Sequence, residues 1–314
     1  MPVHAIDKPL GPTSHDVVAR ARKLLGTRRV GHAGTLDPLA SGVLLLLAGD
    51  ATKLSPWLTG SDKAYLAWVA LGASTPTLDA EGPIEERADA TGLDEARLRD
   101  ALPPFLTLHE QVPPAFSAVK RGGEAAYRAA RRGDAPELAP RPAGYRRVEL
   151  LAFGPREELP ERFAPGPTGW RPAVDGRRLE LPPPLASLPV ALFAVEVSAG
   201  TYLRSFARDL GRALDVPAHL AGLVRTRSGA VPLERTTPLD ALDPAAGLPE
   251  AEALPLPKVT LDAEQAGRIR QGQRLPVGSV PGDGTVGLLD PNGRLAAVAE
   301  LTPDGMRLHR VWPA

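Results

Sequence analysis

Apolar and polar residues alternate along this chain with periods that predict its first elements. Val17, Val18, Ala21, Leu24 and Leu25 recur at helical spacing behind Ser14, a good N-cap residue, and Gly26 supplies a terminator, so a helix is predicted over 14–25. Val43–Leu47 is a short unbroken apolar run, the signature of a buried strand. From Ala64 to Leu71 the pattern changes to alternation, with Tyr65, Ala67, Val69 and Leu71 on one face and Leu66, Trp68 and Ala70 on the other. Ala191–Ser198 reads as another strand, and a helix is predicted over 203–214 with Leu203, Phe206, Ala207, Leu210 and Leu214 as its core stripe. Arg204, Arg208 and Arg212 recur every four residues on a different stripe and are predicted to face away from most of that core.

Proline divides the rest. Residues 155–190 carry Pro155, Pro160, Pro165, Pro167, Pro172, Pro182, Pro183, Pro184 and Pro189 and are predicted to form an irregular insertion. A second proline-rich stretch, 238–258, reads as an interdomain linker. Beyond it, Asp262 can cap a short helix ending near Gly272, and β-like segments follow, turned at Asp290-Pro291-Asn292-Gly293. The organisation expected is a domain over 1–237 and a small, mostly β domain over 259–314.

Composition narrows the setting. At 314 residues, 43% hydrophobic and 24% charged, the chain can build a sizeable core. It holds no cysteine, which excludes disulfides and thiolate metal sites and fits a reducing compartment. The first residues lack the basic and apolar regions of a signal peptide, and no apolar run approaches the roughly 20 residues of a membrane span, so a cytoplasmic protein is expected. Thirty-seven basic residues balance 37 acidic ones, which argues against nucleic-acid binding driven by overall charge. Locally, however, eight Lys/Arg face four Asp/Glu between Phe116 and Leu150. Most of these cations are arginines, which can grip phosphate with a planar fork.

The segment with the most chemical content is Gly31-His32-Ala33-Gly34-Thr35-Leu36-Asp37-Pro38-Leu39-Ala40. It sets one carboxylate, Asp37, in a short polar loop ahead of the apolar run. Pro38 disfavours the helical region for Asp37, and the glycines permit tight turns. Taken alone, the loop fits a carboxylate presented as nucleophile or base, and equally an Asx-turn in which the side chain only caps its own backbone.

The same ten residues resemble the catalytic motif of the TruB family of pseudouridine synthases. Four further motifs in order resemble those of that family: Asp7–Ser14, Asp62–Tyr65 with Leu71-Gly72, Gly200–Gly211, and Leu223–Gly229. The resemblance implies an α+β fold in which a central mixed, largely antiparallel sheet with flanking helices holds Asp37 in a cleft, followed by a small PUA-like RNA-binding domain. It implies an isomerase acting on uridine 55 in the T-loop of tRNA. No redox change or external nucleophile is involved, so neither a metal nor an organic cofactor is expected. The partner expected is the tRNA T stem-loop, without a guide RNA, and the enzyme is expected to be a monomer.

Residue roles follow from the same resemblance. Asp37 is the catalytic carboxylate, acting either as nucleophile or as base at the sugar 2′ carbon. Tyr65 is the platform for a flipped base and a candidate for proton transfer. Arg204 pairs with Asp37, and Leu223 lines the base pocket. Tyr202 and His32 stand near the active-site loop, and Lys8 supports it. Residues 105–147 are the RNA-contacting insertion, with Lys120, Arg131 and Arg132 as phosphate contacts beside Arg121, Arg128, Arg141, Arg146 and Arg147. Ala33, Pro76 and Val224 depart from the family pattern, and each is expected to remove a polar partner near RNA or the loop. The competing reading is a tRNA-binding or tRNA-folding chaperone that keeps the scaffold. An aspartate-nucleophile phosphotransferase is disfavoured because Asp37 has no Asp-x-Asp partner and the chain no phosphate-cradling glycine loop.

Overall fold

The computed structural model describes residues 2–276 and 278–313, with the Arg121 side chain outside the description. Its first elements are strand β1 (Val3–Lys8), helix α1 (Ser14–Leu24), strands β2 (Val30–Ala33) and β3 (Ala40–Ala48), helix α2 (Ser55–Thr59) and strand β4 (Lys63–Leu71). A nine-stranded sheet is built in the order Tyr145–Pro155, Pro189–Val197, β4, Ala218–Ser228, β3, β1, Thr237–Pro238, with β2 on β3 and Val231–Pro232 on Ala218–Ser228. Most neighbours are antiparallel; Ala218–Ser228 with β3 and β1 with Thr237–Pro238 are parallel. The fold is the mixed, largely antiparallel α+β architecture expected.

The alternation in β4 sorts its side chains into two cores. Tyr65, Ala67, Val69 and Leu71 pack with α1 and the helix Leu203–Ala213, while Leu66, Trp68 and Ala70 join the core on the other face. That second face is covered by the proline-rich segment, which is not irregular throughout. Arg162–Gly166, Gly169–Pro172 and Arg177–Arg178 form a three-stranded sheet whose Phe163 meets Trp68 edge-on at 5.7 Å. Pro172 ends one of its strands, and Pro167 lies in the turn between two of them.

The stretch 238–258 is likewise built into the fold rather than strung between domains. Leu248 bridges Val3 on β1, and Ala253 and Leu254 are fully buried in the second core. The C-terminal sheet runs Lys258–Thr260, Gly284–Leu289, Leu295–Thr302, Gly305–Val311 around its own core. Asp262 does cap the helix Ala263–Arg270, reciprocally with Gln265. Leu295, Val298 and Trp312 pack into the second core of the large sheet, and Lys53 Nζ donates to the Val311 carbonyl at 3.0 Å. Among the described residues no helix is long and apolar enough to cross a membrane.

Two local expectations need correction. Thr13, not Ser14, is the N-cap of α1, in a capping box with Asp16. Ser14 is buried, and its hydroxyl instead reaches the Asp37 loop. Ala33 and Val224, expected beside RNA or the loop, are 0% and 1% exposed in the second core, so their apolar character serves packing.

Candidate active site

Asp37 lies in the irregular connection between β2 and β3, and two distant parts of the chain, residues 8–14 and Arg225, hold that connection. The Ser14 hydroxyl accepts from the Leu36 N–H at 2.8 Å and donates to the Leu36 carbonyl at 2.9 Å. The Gly11 N–H donates to the Pro38 carbonyl at 2.9 Å, and Lys8 Nζ to the Ala40 carbonyl at 2.7 Å. Arg225, 1% exposed, donates to the carbonyls of Gly34, Thr35 and Val43 at 3.0, 3.3 and 2.6 Å. A loop whose backbone groups are satisfied this completely has little freedom left. Its carboxylate is the part that remains open, with the Asp37 side chain 36% exposed.

Arg204 meets that carboxylate. Its Nε stands 3.0 Å from Asp37 Oδ2 and 3.6 Å from Asp79 Oδ2, while its two Nη groups donate to the carbonyls of Thr77 (3.1 Å) and Phe116 (2.9 Å). All three guanidinium nitrogens are engaged, and the residue is 6% exposed. Arg204 lies off the apolar stripe of its helix, yet it is buried beneath two loops rather than exposed. Residues 77–79 and 112–116 cover the first turn of its helix, and the arginine stripe runs from buried Arg204 to Arg212, whose side chain is 71% exposed.

Asp79 was not anticipated as a site residue. It is 2% exposed; its Oδ1 accepts from Thr77 Oγ1 at 2.6 Å and the Glu81 N–H at 3.0 Å. Burial pushes its carboxyl above the ordinary value, and the Arg204 guanidinium opposes that rise. No local pattern marks Asp79; it becomes part of the site because Ala73–Leu78 returns beside the strand Ala218–Ser228, where Asp79 bridges Leu220. Burial likewise raises Glu81, helped by the charges of Asp79 and Asp37.

The remaining candidates divide into those gathered at the site and those apart from it. Tyr65, 9% exposed, stands opposite Arg225 in the β4 pairing, and Leu223, 7% exposed, stands opposite Ala67 and beside Ala40. Both lie on the face of the first core. Lys8 is fully buried; desolvation lowers it to about 8, with Asp37 pulling the other way. Lys63, also lowered to about 8 by burial, donates to the carbonyls of Leu58, Thr59 and Ser61 behind Gly34. His32, on β2, packs edge-on against His15 at 5.5 Å, and burial lowers it to about 4. Tyr202 precedes the Arg204 helix and packs beside Val119, Ala126 and Leu138; its N–H donates to Gln111 Oε1 at 2.9 Å.

Lys120, Arg131 and Arg132 lie in the insertion and are exposed. Arg131 covers the Tyr127 ring at 5.6 Å from its centroid, with Arg128 at 5.9 Å. Arg132 is held bidentately by Glu124 at 2.7 and 2.9 Å, so its charge is partly spoken for. Arg146 pairs with Asp62 and Arg147 with Glu149, while the Arg121 side chain lies outside the described residues.

Residues 22–161 match the model for the TruB family pseudouridylate synthase N-terminal domain, and residues 257–313 match that for the pseudouridine synthase II TruB C-terminal domain. The chain is 52% identical over 313 residues to tRNA pseudouridine synthase B of Thermus thermophilus, covering 99% of each. It is 47% identical to the protein of that name from Deinococcus radiodurans, covering 99% of this chain and all of the relative. Among solved structures it is similar to a chain of a Cbf5-Nop10-Gar1 complex, with a TM-score of 0.69, 26% identity, and coverage of 99% of this chain and 85% of that one.

Proposed function

We propose, from the premise that this chain belongs to the TruB family of pseudouridine synthases, that it isomerises uridine 55 in the T-loop of tRNA with Asp37 as its catalytic carboxylate. The enzyme is an isomerase, a tRNA pseudouridine synthase. The reaction breaks the bond between N1 and the sugar C1′, turns the base, and joins C5 to the same carbon. The C5 hydrogen leaves to solvent and N1 takes up a proton, so atoms balance without a redox partner.

One observation carries the role of Asp37. It is a partly exposed carboxylate whose loop is fixed by Lys8, Ser14 and Arg225 and whose oxygen is aimed by Arg204 at 3.0 Å. Such preorganisation keeps the reacting group in place before substrate arrives. A single carboxylate serves two routes, attack as a nucleophile or removal of a proton from the sugar 2′ carbon, and both need the target nucleotide out of its stack. Tyr65 and Leu223 then give the extruded uracil an aromatic platform and an apolar wall. Lys120, Arg131 and the Arg128–Tyr127 pair are the phosphate- and base-contacting groups of the insertion, acting on tRNA without a guide RNA.

The test uses unmodified tRNA transcripts tritiated at C5 of uridine, with uridine or cytidine at position 55. Release from the first and none from the second is expected. Equal release from both would assign the reaction to another uridine.

A further inference from the structure

We propose that Arg225 is a positioning residue for pseudouridine formation, a clamp that fixes both arms of the Asp37 loop against the strand carrying Tyr65. Its three hydrogen bonds straddle Asp37. Two go to the carbonyls of Gly34 and Thr35 on the approaching arm, and one goes to Val43 on the departing arm. The five donors of a guanidinium form a rigid planar fork, so one side chain sets the distance between the arms. Register supplies the third attachment. Arg225 pairs with Tyr65 across β4 and with Gly42 across β3, placing all three in one row of the sheet.

The surrounding chain is shaped to this contact. Gly42 has φ +97°, and a Cβ there would stand 2.3 Å from the Arg225 carbonyl oxygen, so only glycine allows β3 to approach so closely. Gly34 has φ +83°, and a Cβ there would meet Arg225 Nη1 at 3.4 Å and Lys63 Cε at 3.6 Å. Arg225 therefore works on the backbone of the loop, whereas Arg204 works on the Asp37 side chain. A displacement of about 1 Å at a reacting group costs on the order of a hundredfold in rate. Loosening Arg225 should therefore appear in kcat. The RNA-contacting groups of the insertion lie elsewhere, so tRNA affinity should change little.

The inference rests on the reading of Asp37 as the catalytic carboxylate, and the experiment separates the two. Tritium release from tRNA is measured for wild type, Arg225→Lys, Arg225→Gln, Arg204→Lys and the Arg204→Lys/Arg225→Lys double variant. tRNA binding and circular dichroism are recorded for each. Asp37→Asn is assayed beside them: release by that variant defeats the reading of Asp37, and a wild type that binds tRNA without release defeats the reading of the reaction. With an active wild type, Arg225→Lys and Arg225→Gln are expected to lose roughly a hundredfold in kcat with KM and Kd within about threefold. Because both arginines act on one group, the double variant should be far more active than the product of the single losses implies. Unchanged kcat, a loss confined to KM, multiplicative losses, or loss of the native spectrum and tRNA binding together with turnover would each overturn the role.

Discussion

Replacing Arg204 by Met should expose how the two carboxylates at the site depend on one cation. The guanidinium sits between Asp37 and Asp79 at 3.0 and 3.6 Å, and Asp79 is 2% exposed. Removing one partner of a buried ion pair costs about 3–5 kcal/mol, because the other charge stays in low dielectric without compensation. Asp37, open to solvent, contributes little to that figure. The cost should depend on pH. Burial already raises the Asp79 carboxyl above its ordinary value of 3.8, and loss of Arg204 removes the group that opposes the rise. A carboxyl raised in the folded state binds more protons than the unfolded chain over the window above 3.8, so stability falls as pH climbs through it. The Arg204→Met deficit is thus largest near pH 8 and shrinks toward pH 5. Adding Asp79→Asn should recover part of it, leaving about 1–3 kcal/mol from the Thr77 and Phe116 carbonyls that lose their donors. Urea unfolding followed by tryptophan fluorescence at the two pH values measures this. A deficit below about 1 kcal/mol at pH 8, a deficit independent of pH, or no recovery in the double variant would refute the reasoning.

Two other outcomes follow from the same geometry. Ser14→Ala leaves the buried Leu36 N–H without its acceptor and should cost about 1–3 kcal/mol together with kcat; Thr13→Ala, which removes only an exposed cap, should cost about 1 kcal/mol with kcat intact. A kcat equal in the two variants would detach Ser14 from the loop. Burial lowers His4, His219 and His32, the last to about 4 from 6.5, so the unfolded chain binds more protons between these values and stability should fall as pH drops from 6.5 toward 4. A thermal midpoint that holds steady across that range would contradict this.

Local pattern carried the scaffold further than it carried the site. The alternation over 64–71 placed Tyr65 and Trp68 on opposite faces, and both cores obey it. Arg204 shows where periodicity stops. A helical stripe says which residues share a face, but not that Thr77 and Phe116, 127 and 88 residues away in sequence, will close over it. Asp79 and Arg225 enter the site by the same long-range route. Arg225 reaches Gly34 across 191 residues, a contact that only the sheet order creates. The proline-rich stretch misled for a different reason. Its strands are only two to five residues long and leave no sustained alternation between the prolines, while Gly176 lets its turn lie on the Phe163 backbone, where a Cβ would fall 2.5 Å away. The motif near Asp37, by contrast, was legible because loop, glycines and strand are contiguous.

The central claim, that Asp37 carries the isomerisation, is tested most directly by tritium release from C5-labelled, unmodified tRNA, with wild type and Asp37→Asn side by side. The account predicts release by wild type and none above background by Asp37→Asn, with both proteins binding the tRNA. Release by both would mean that another group does the chemistry, and release by neither, with tRNA still bound, would favour the chaperone reading.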